Sequence, residues 1–402
     1  MLSSKLRTRT RGADVRPYEG IDYYRMEAEL GDEERAARDL CRSFVERRFL
    51  PVVREHHRAG TFPLELAPEM GELGLLGTSV QGPGCPGLSP TVYGLVCQEL
   101  ERGDSGLRSF ASVQGSLVMW PIATYGDEAQ QRRWLPELAA GRRIGCFGLT
   151  EAAHGSDPGG METRAVRDGD GWVLTGSKMW ITNADLADVA VVWARGPERV
   201  LGFLVERGTP GFAAQPVHGK FSLRASDTGE LSFDEVRLPE SSRLPGAAGL
   251  VAPLSCLNQA RYGIAWGAVG AAAACYDHAR QYALEREQFG RPLAAFQLVQ
   301  QKLVEMLTEV TTSQALAHRL GRLKDRGVDE VALVSLAKRH NVAAALRTAR
   351  LAREVLGAAG ITDEHPIGRH LTNLESVYTY EGTHDIHTLI VGADVTGLPA
   401  FR

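Results

Sequence analysis

The sequence predicts an α+β protein built of three successive parts: a helical segment, a segment of short strands, and a second helical segment. Three observations carry this. Apolar residues recur at helical spacing up to Leu138. Gly and β-forming residues then dominate from about Ile144 to Pro245. Helical periodicity returns beyond that point and runs toward the C-terminus. A chain of 402 residues has room for two or three domains, and 44% apolar with 23% charged residues is an ordinary globular balance.

Residues 1–25 read as a tail. Its stretch 5–16 is Arg-rich with Asp14 near the end, which points to a disordered basic tail, with a short transit peptide as the alternative; no apolar signal-type run follows the N-terminus. A helical domain is placed at 26–143. From Asp32 to His57, Leu40, Phe44, Val45, Phe49 and Val53 keep helical spacing amid Glu and Arg. Pro63 and Pro68 punctuate the chain, Gly82-Pro83-Gly84 and Pro86-Gly87 make a loop, and helical pattern resumes from Thr91 to Leu138 with a break near Pro121.

A middle β domain is placed at 144–250. Trp172-Val173-Leu174, Val189 to Trp193, Gly202 to Val205 and Leu231 to Leu238 read as strands bounded by turns. They follow one another without intervening helices, so the sheet should be largely antiparallel. The C-terminal part, 251–402, reads as an antiparallel bundle. Phe296, Val299, Leu303, Met306 and Val310 mark one face, Leu333, Leu336, Val342, Leu346 and Val355 another, and Gly357-Ala358-Ala359-Gly360 a stop. The most apolar run, Gly263 to Cys275, is too short to span a bilayer and reads as a close-packed buried helix. No internal repeat or low-complexity tract is visible.

The net charge of −4 gives no basic field for nucleic acid. Arginine dominates the basic residues; the six lysines are Lys5, Lys178, Lys220, Lys302, Lys324 and Lys338, a bias given no functional weight. Cys41, Cys85, Cys97, Cys146, Cys256 and Cys275 show no C-x-x-C or Cys/His metal spacing and read as structural thiols in a reducing compartment.

Four regions carry groups suited to chemistry. Between Cys146 and Pro158, Gly148, Gly155, Thr150 and Ser156 offer backbone and hydroxyl donors, although an ordinary β-domain loop would look alike. Trp180-Ile181-Thr182-Asn183 sets an aromatic beside a hydroxyl; a lone Trp in a strand is by default a core residue. Arg108 follows Glu99, Glu101, Arg102 and Asp104, by default a surface ion-pair cluster, otherwise a buried clamp for a carboxylate. The segment 378–387 gathers Tyr380, Glu381, Gly382, Thr383, His384, Asp385 and His387. A carboxylate enclosed in an apolar cleft there would be a stronger base than in water; His384, Asp385 and His387 are a weaker candidate metal set, and no metal is assigned.

These motifs, taken together, resemble the acyl-CoA dehydrogenases, and within them the glutaryl-CoA dehydrogenases. The matching stretches run in order over nearly the whole chain: Met70 to Gly74, Glu99 to Arg102, Asp104-Ser105-Gly106 with Arg108-Ser109, Cys146 to Glu151 and Gly155 to Pro158. Trp180 to Asn183, Lys220 to Ser226, Ala260 to Gly267, Arg286 with Gln288-Phe289-Gly290, and Tyr380 to His387 follow. The resemblance implies a helical N-terminal domain, an antiparallel middle β domain and a C-terminal four-helix bundle.

It also implies roles. Phe147, Leu149, Thr150, Gly155 and Ser156, with Trp180, Ile181 and Thr182, would hold the flavin ring and ribityl chain of FAD. Arg286, Phe289, Gln297 and the stretch from Glu354 through Gly357 and Ala358 would bind its diphosphate and adenine, partly across a subunit interface, and Thr383 and Asp385 would touch it as well. Ser156, the run Leu254 to Arg261 with Leu257, Asn258 and Arg261, Gly382 and Phe401 match the CoA-thioester site. Arg108, Ser109, Ser112 and Tyr380 match the end that takes a distal carboxylate, and Glu381 matches the catalytic base.

The implied reaction is α,β-dehydrogenation of a carboxylated acyl-CoA, with glutaryl-CoA converted to crotonyl-CoA and electrons passed to an electron-transferring flavoprotein. The expected assembly is a homotetramer, cytoplasmic in a bacterium or in the mitochondrial matrix of a eukaryote, with neither nucleic acid nor membrane as partner. Ala152-Ala153, Leu107, Gly115, Trp120 and Ala358 depart from the family pattern; Leu107 and Trp120 would reshape the acyl pocket. The rival readings are a dehydrogenase of another diacyl or carrier-bound thioester without decarboxylation, and a flavin-free acyl-binding module.

Overall fold

The computed structural model describes residues 18–401. The predicted Arg-rich stretch 5–16 lies outside them. Residues 18–25 pack on the C-terminal bundle: Arg280 donates to the Tyr18 carbonyl (3.4 Å), and Ile21 joins the bundle core.

The first helical part comprises α1 (Asp32–Phe44), α2 (Leu50–Ala59), α3 (Ala67–Glu72), α4 (Pro90–Gly103), α5 (Ser105–Ser112), α6 (Trp120–Tyr125) and α7 (Glu128–Ala139). Short π-helical turns, Val45–Phe49 and Val113–Met119, join α1 to α2 and α5 to α6. The expected break at Pro121 is corrected. Pro121 sits in the first turn of α6, where its missing N–H is tolerated, and the chain breaks instead at Asp104 (φ −168°) and at Gly126-Asp127. Asp104 caps α5 by accepting from Gly106 N–H, and Asp127 caps α7.

The β part is one seven-stranded sheet: β1 (Gly145–Gly148), β2 (Arg164–Asp168), β3 (Gly171–Thr182), β4 (Val189–Arg195), β5 (Val200–Glu206), β6 (Phe212–Pro216) and β7 (Thr228–Pro239). Most pairs are antiparallel, as expected. The exceptions are β1 and a single register position of β2, both parallel to β4. The β3–β7 register slips between Lys178 and Ile181, and that irregularity turns Trp180 out of the strand.

The last part is α8 (Val251–Glu285), a hairpin of β8 (Glu287–Gln288) and β9 (Arg291–Pro292), then α9 (Gln297–Lys324), α10 (Val331–Leu356), α11 (Ile367–Thr379) and α12 (His384–Thr396). The apolar run 263–275 is the buried centre of α8. A Cβ on Gly263 would lie 2.6 Å from the Tyr93 hydroxyl, on Gly267 1.9 Å from Glu101 Oε2, and on Gly270 1.9 Å from the Gln98 carbonyl. This glycine face lets α4 lie directly on α8, which brings Glu101 and Arg108 into the middle of the molecule.

One apolar core is shared by all three parts: Val118, Ile122 and Leu138, then Phe147, Val191 and Trp193, then Cys256 and Ala260. None of the cysteines is bridged, and all are buried except the half-buried Cys85. Among the described residues no helix is long and apolar enough to cross a membrane.

Candidate active site

Glu381 lies in the four-residue connection between α11 and α12. Its backbone is left-handed (φ 54°), a region that costs a non-glycine residue about 1–3 kcal/mol. Three hydrogen bonds from two side chains hold it there. Arg261 of α8 donates from Nε to the Glu381 carbonyl (2.7 Å). Lys338 of α10 donates from Nζ to the Gly382 carbonyl (2.7 Å) and to the Tyr380 carbonyl. Hydrogen bonds from charged donors contribute about 1.5–3 kcal/mol each, enough to offset the backbone cost. Gly382 (φ 94°) is required here, because a Cβ would sit 2.9 Å from His387 Nε2 and 3.2 Å from Arg261 Nη2.

The side chains around Glu381 are charged and buried. Arg108 is fully buried, donates from Nε to Glu101 (2.7 Å), and contacts the Tyr380 hydroxyl through Nη2. The default of a surface ion-pair cluster is therefore overturned: Glu99, Glu101, Asp104 and Arg108 are all inside. The glycine face of α8 admits Glu101 and Arg108, Arg42 covers Glu99, and Arg369 and Asn373 hold Asp104. Glu381 Oε2 is buried and accepts no hydrogen bond. Burial pushes the Glu381 carboxyl above the ordinary carboxylate range, while Arg108, Lys338 and Arg261 pull against that rise. Burial likewise drives the Lys338 ammonium down, opposed by Glu381.

His384 and His387 do not converge as metal ligands. His384 stacks on Tyr378 with centroids 4.5 Å apart, whereas His387 points inward and burial drives its imidazole down to about 2. Among the described residues no His, Cys, Asp and Glu group is arranged to hold a metal.

A second group lies on the β part. Trp180 is left-handed (φ 63°) and 58% exposed, so the default of a core tryptophan fails. Met179 N–H donates to the Thr150 carbonyl (2.8 Å), which sets Leu149 and Thr150 beside Trp180, Ile181 and Thr182. Fully buried Lys178 supports this loop from beneath, donating to the Leu149 carbonyl (3.0 Å) and Glu151 (2.7 Å). Glu151 also accepts from Glu162 and Thr163 N–H and is held down at about 2; burial opposes that shift, and the Lys178 and backbone donors outweigh it. Phe147 is buried at the root of the loop, and Gly155 and Ser156 are exposed at its tip.

The remaining candidates divide. Ser109 and Ser112 are buried on α5 beside Arg108; Asn258 donates to Asp329 (3.0 Å) and Leu257 packs on the shared core. Thr383 caps α12 by accepting from Ile386 N–H (3.1 Å), and Asp385 is exposed on its first turn. Arg286, Phe289, Gln297, Gly357 and Ala358 are exposed on the outside of the bundle, and Glu354 pairs with Lys302 (2.5 Å). Phe401 is half exposed at the C-terminal end. Leu107 is fully buried among Phe49, Leu100 and Phe110, and Trp120 packs edge-on to Tyr125. Gly115 admits the Gly77 backbone, 3.1 Å from where a Cβ would be.

Three family models cover the chain: the acyl-CoA dehydrogenase N-terminal domain over residues 31–142, its middle domain over 146–236 and its C-terminal domain over 247–396. The chain belongs to the acyl-CoA dehydrogenase family. It is 35% identical to the mitochondrial short-chain specific acyl-CoA dehydrogenase of Bos taurus, over 90% of each chain. Among solved structures it is similar to glutaryl-CoA dehydrogenase from Mycobacterium smegmatis, at 56% identity and TM-score 0.94, covering 96% of this chain and 100% of that one. A second glutaryl-CoA dehydrogenase structure from Mycobacterium smegmatis, in complex with FADH2, matches at 51% identity and TM-score 0.94 over 95% and 99% of the chains. The acyl-CoA dehydrogenase fold accounts for the α, β, α order.

The sequence reading missed Lys338 and Lys178. Their signal was scarcity: in a chain that uses arginine almost everywhere, these lysines sit where one compact ammonium must reach two acceptors at once.

Proposed function

We propose that this acyl-CoA dehydrogenase oxidises glutaryl-CoA with FAD and decarboxylates the product to crotonyl-CoA. The observation that carries the acyl specificity is the buried Arg108, fixed by Glu101 and joined to Tyr380, the residue next to the base. With Lys338 charged, Arg108, Arg261 and Lys338 face, among the described residues, two carboxylates, Glu101 and Glu381. A distal substrate carboxylate would neutralise the remaining positive charge. The likeness to the two glutaryl-CoA dehydrogenase structures supports the same reading.

FAD is the cofactor, and the residues present fit it. An exposed indole beside Thr182, next to a loop propped on Lys178, offers a flat ring a face and donors to its edge. Phe147, Leu149, Thr150, Gly155, Ser156, Trp180, Ile181 and Thr182 would hold the ring and ribityl chain, with Thr383 and Asp385 beside them. Arg286, Phe289, Gln297, Glu354, Gly357 and Ala358 would take the diphosphate and adenine of a neighbouring subunit in a homotetramer. When bound, FAD supplies the acceptor for the β-hydride and a hydroxyl donor to the thioester carbonyl.

The chain's own groups do the rest. The Glu381 N–H donates to the thioester carbonyl and stabilises the enolate. Glu381 removes the α-proton; loss of the β-hydride completes the double bond. The product's carboxylate then sits on a vinylogous electron sink, leaves as carbon dioxide, and the protonated Glu381 returns its proton to the dienolate. Ser109 and Ser112 flank Arg108 at the carboxylate end. Ser156, Leu257, Asn258, Arg261, Gly382 and Phe401 are assigned to the CoA thioester. Electrons would leave to an electron-transferring flavoprotein, in the cytoplasm or mitochondrial matrix.

The test is anaerobic addition of glutaryl-CoA to the purified yellow protein, following flavin bleaching and the products. Crotonyl-CoA with carbon dioxide is expected. Glutaconyl-CoA alone would make it a non-decarboxylating enzyme, and neither product would overturn the assignment.

A further inference from the structure

Glu381 is held by a group to which the proposed reaction assigns nothing. Lys338 is buried on α10, 2% exposed, and its Nζ reaches the carbonyls on both sides of the base, those of Tyr380 and Gly382. The carbonyl between them is taken by Arg261. Three successive carbonyls are therefore held by two bundle side chains, which fixes the backbone from which the Glu381 side chain departs. Tyr380 is fixed by the same ammonium, whose Nζ lies 5.7 Å from its ring centroid, and its hydroxyl is on Arg108. Lys338 thus stands at the joint between the base and the carboxylate-binding arginine.

We propose that Lys338 is a positioning residue for the base: by gathering the Tyr380 and Gly382 carbonyls it keeps Glu381 in its left-handed backbone with its carboxylate turned to the thioester. This rests on Glu381 being the base. An apolar side chain at 338 would release two carbonyls, and the connection between α11 and α12 would relax toward ordinary backbone angles.

Charge gives the role a signature that packing alone lacks. The groups facing Glu381 are Glu101 of α4, Arg108 of α5, Arg261 of α8, Lys338 of α10, the Tyr380 phenol beside it and His387 of α12, whose imidazole is neutral. Removing the Lys338 charge removes one of the three cations that favour the ionised base. Glu381 must be ionised to act, so its rate rises with pH through its own pKa. Loss of Lys338 moves that acid limb to higher pH, by about one unit.

The experiment uses full-length, FAD-loaded Lys338→Met and Lys338→Gln, with Glu381→Gln as reference. Two readouts are taken: the pH dependence of glutaryl-CoA bleaching, and hydrogen exchange of the 380–387 segment without any thioester. Expected for Lys338→Met are a bleaching rate lowered about 10–100-fold with little change in thioester affinity, an acid limb shifted upward, and faster exchange over 380–387. Lys338→Gln, which keeps donors and loses charge, should restore part of the rate and not the limb; it also carries the test if the Met variant does not fold. Unchanged exchange and an unshifted limb in both variants would overturn the proposal, as would a rate loss matched by equal loss of affinity. If no bleaching occurs in the unsubstituted protein, the reaction assignment fails, and the exchange readout still decides whether Lys338 holds the loop.

Discussion

The chain contains two short connections of the same local design with opposite surroundings. In both, a left-handed non-glycine residue precedes a left-handed glycine: Glu381-Gly382 between α11 and α12, and Phe289-Gly290 in the β8–β9 hairpin. The first is gripped from within, by Lys338 and Arg261 on its carbonyls and His387 under its glycine. The second projects outward. Phe289 is 94% exposed, nothing stands within 4 Å of a Cβ on Gly290, and the neighbouring Phe296 ring is edge-on at 6.1 Å. Backbone strain persists only where surroundings over-determine it. The base connection carries its own surroundings, whereas the hairpin has none within the chain; the proposed homotetramer would supply them.

Three variants probe that contrast. The largest effect belongs to the base. Glu381→Gln should keep flavin content and thermal midpoint and lower the rate of anaerobic bleaching by about 10²–10⁴-fold; stopped-flow absorbance measures it, and normal bleaching would remove Glu381 from the mechanism. Next comes the arginine tied to the same connection. Arg108→Met, combined with Glu101→Gln so that no carboxylate is left buried and unpaired, should lower kcat/KM on glutaryl-CoA by about 30-fold or more. Butyryl-CoA, which has no distal carboxylate, should lose much less; equal losses on both would show that Arg108 only supports the fold. The smallest effect on chemistry falls on the hairpin. Phe289→Ala should leave hydrogen exchange in the bundle core unchanged and weaken self-association by about 2 kcal/mol per contact if the ring is an interface anchor. Light scattering across a dilution series, with released FAD read by absorbance, would show it; an unchanged assembly would assign the hairpin to another partner.

Legibility in the sequence followed how local each feature is. The stop of α10 at Gly357 and the amphipathic face of α9 are properties of neighbouring residues, and periodicity found them; on α10 the expected face holds except at Leu336, which is exposed. Glu381 stood out as the candidate base for a similar reason, since Tyr380, Glu381 and Gly382 are contiguous and their chemistry is visible in place. Arg108 was harder. Whether its ion pair with Glu101 is exposed or buried depends on Gly263, Gly267 and Gly270 some 160 residues later, which let α4 settle onto α8. Trp180 read as core because its strand pattern is regular; the slip of β3 against β7 that turns it outward is a property of two strands together.

The sequence by itself determined the order of helical and β parts, the family motifs and the candidate base as a carboxylate beside a glycine, because each rests on side chains close together along the chain. Only the tertiary structure decided the environment of that base. Lys338 lies more than forty positions from Glu381 and Arg261 more than a hundred, and no local pattern links them. Their grip on three consecutive carbonyls, and the burial that raises the affinity of Glu381 for a proton, exist only once α8, α10 and the α11–α12 connection are packed together.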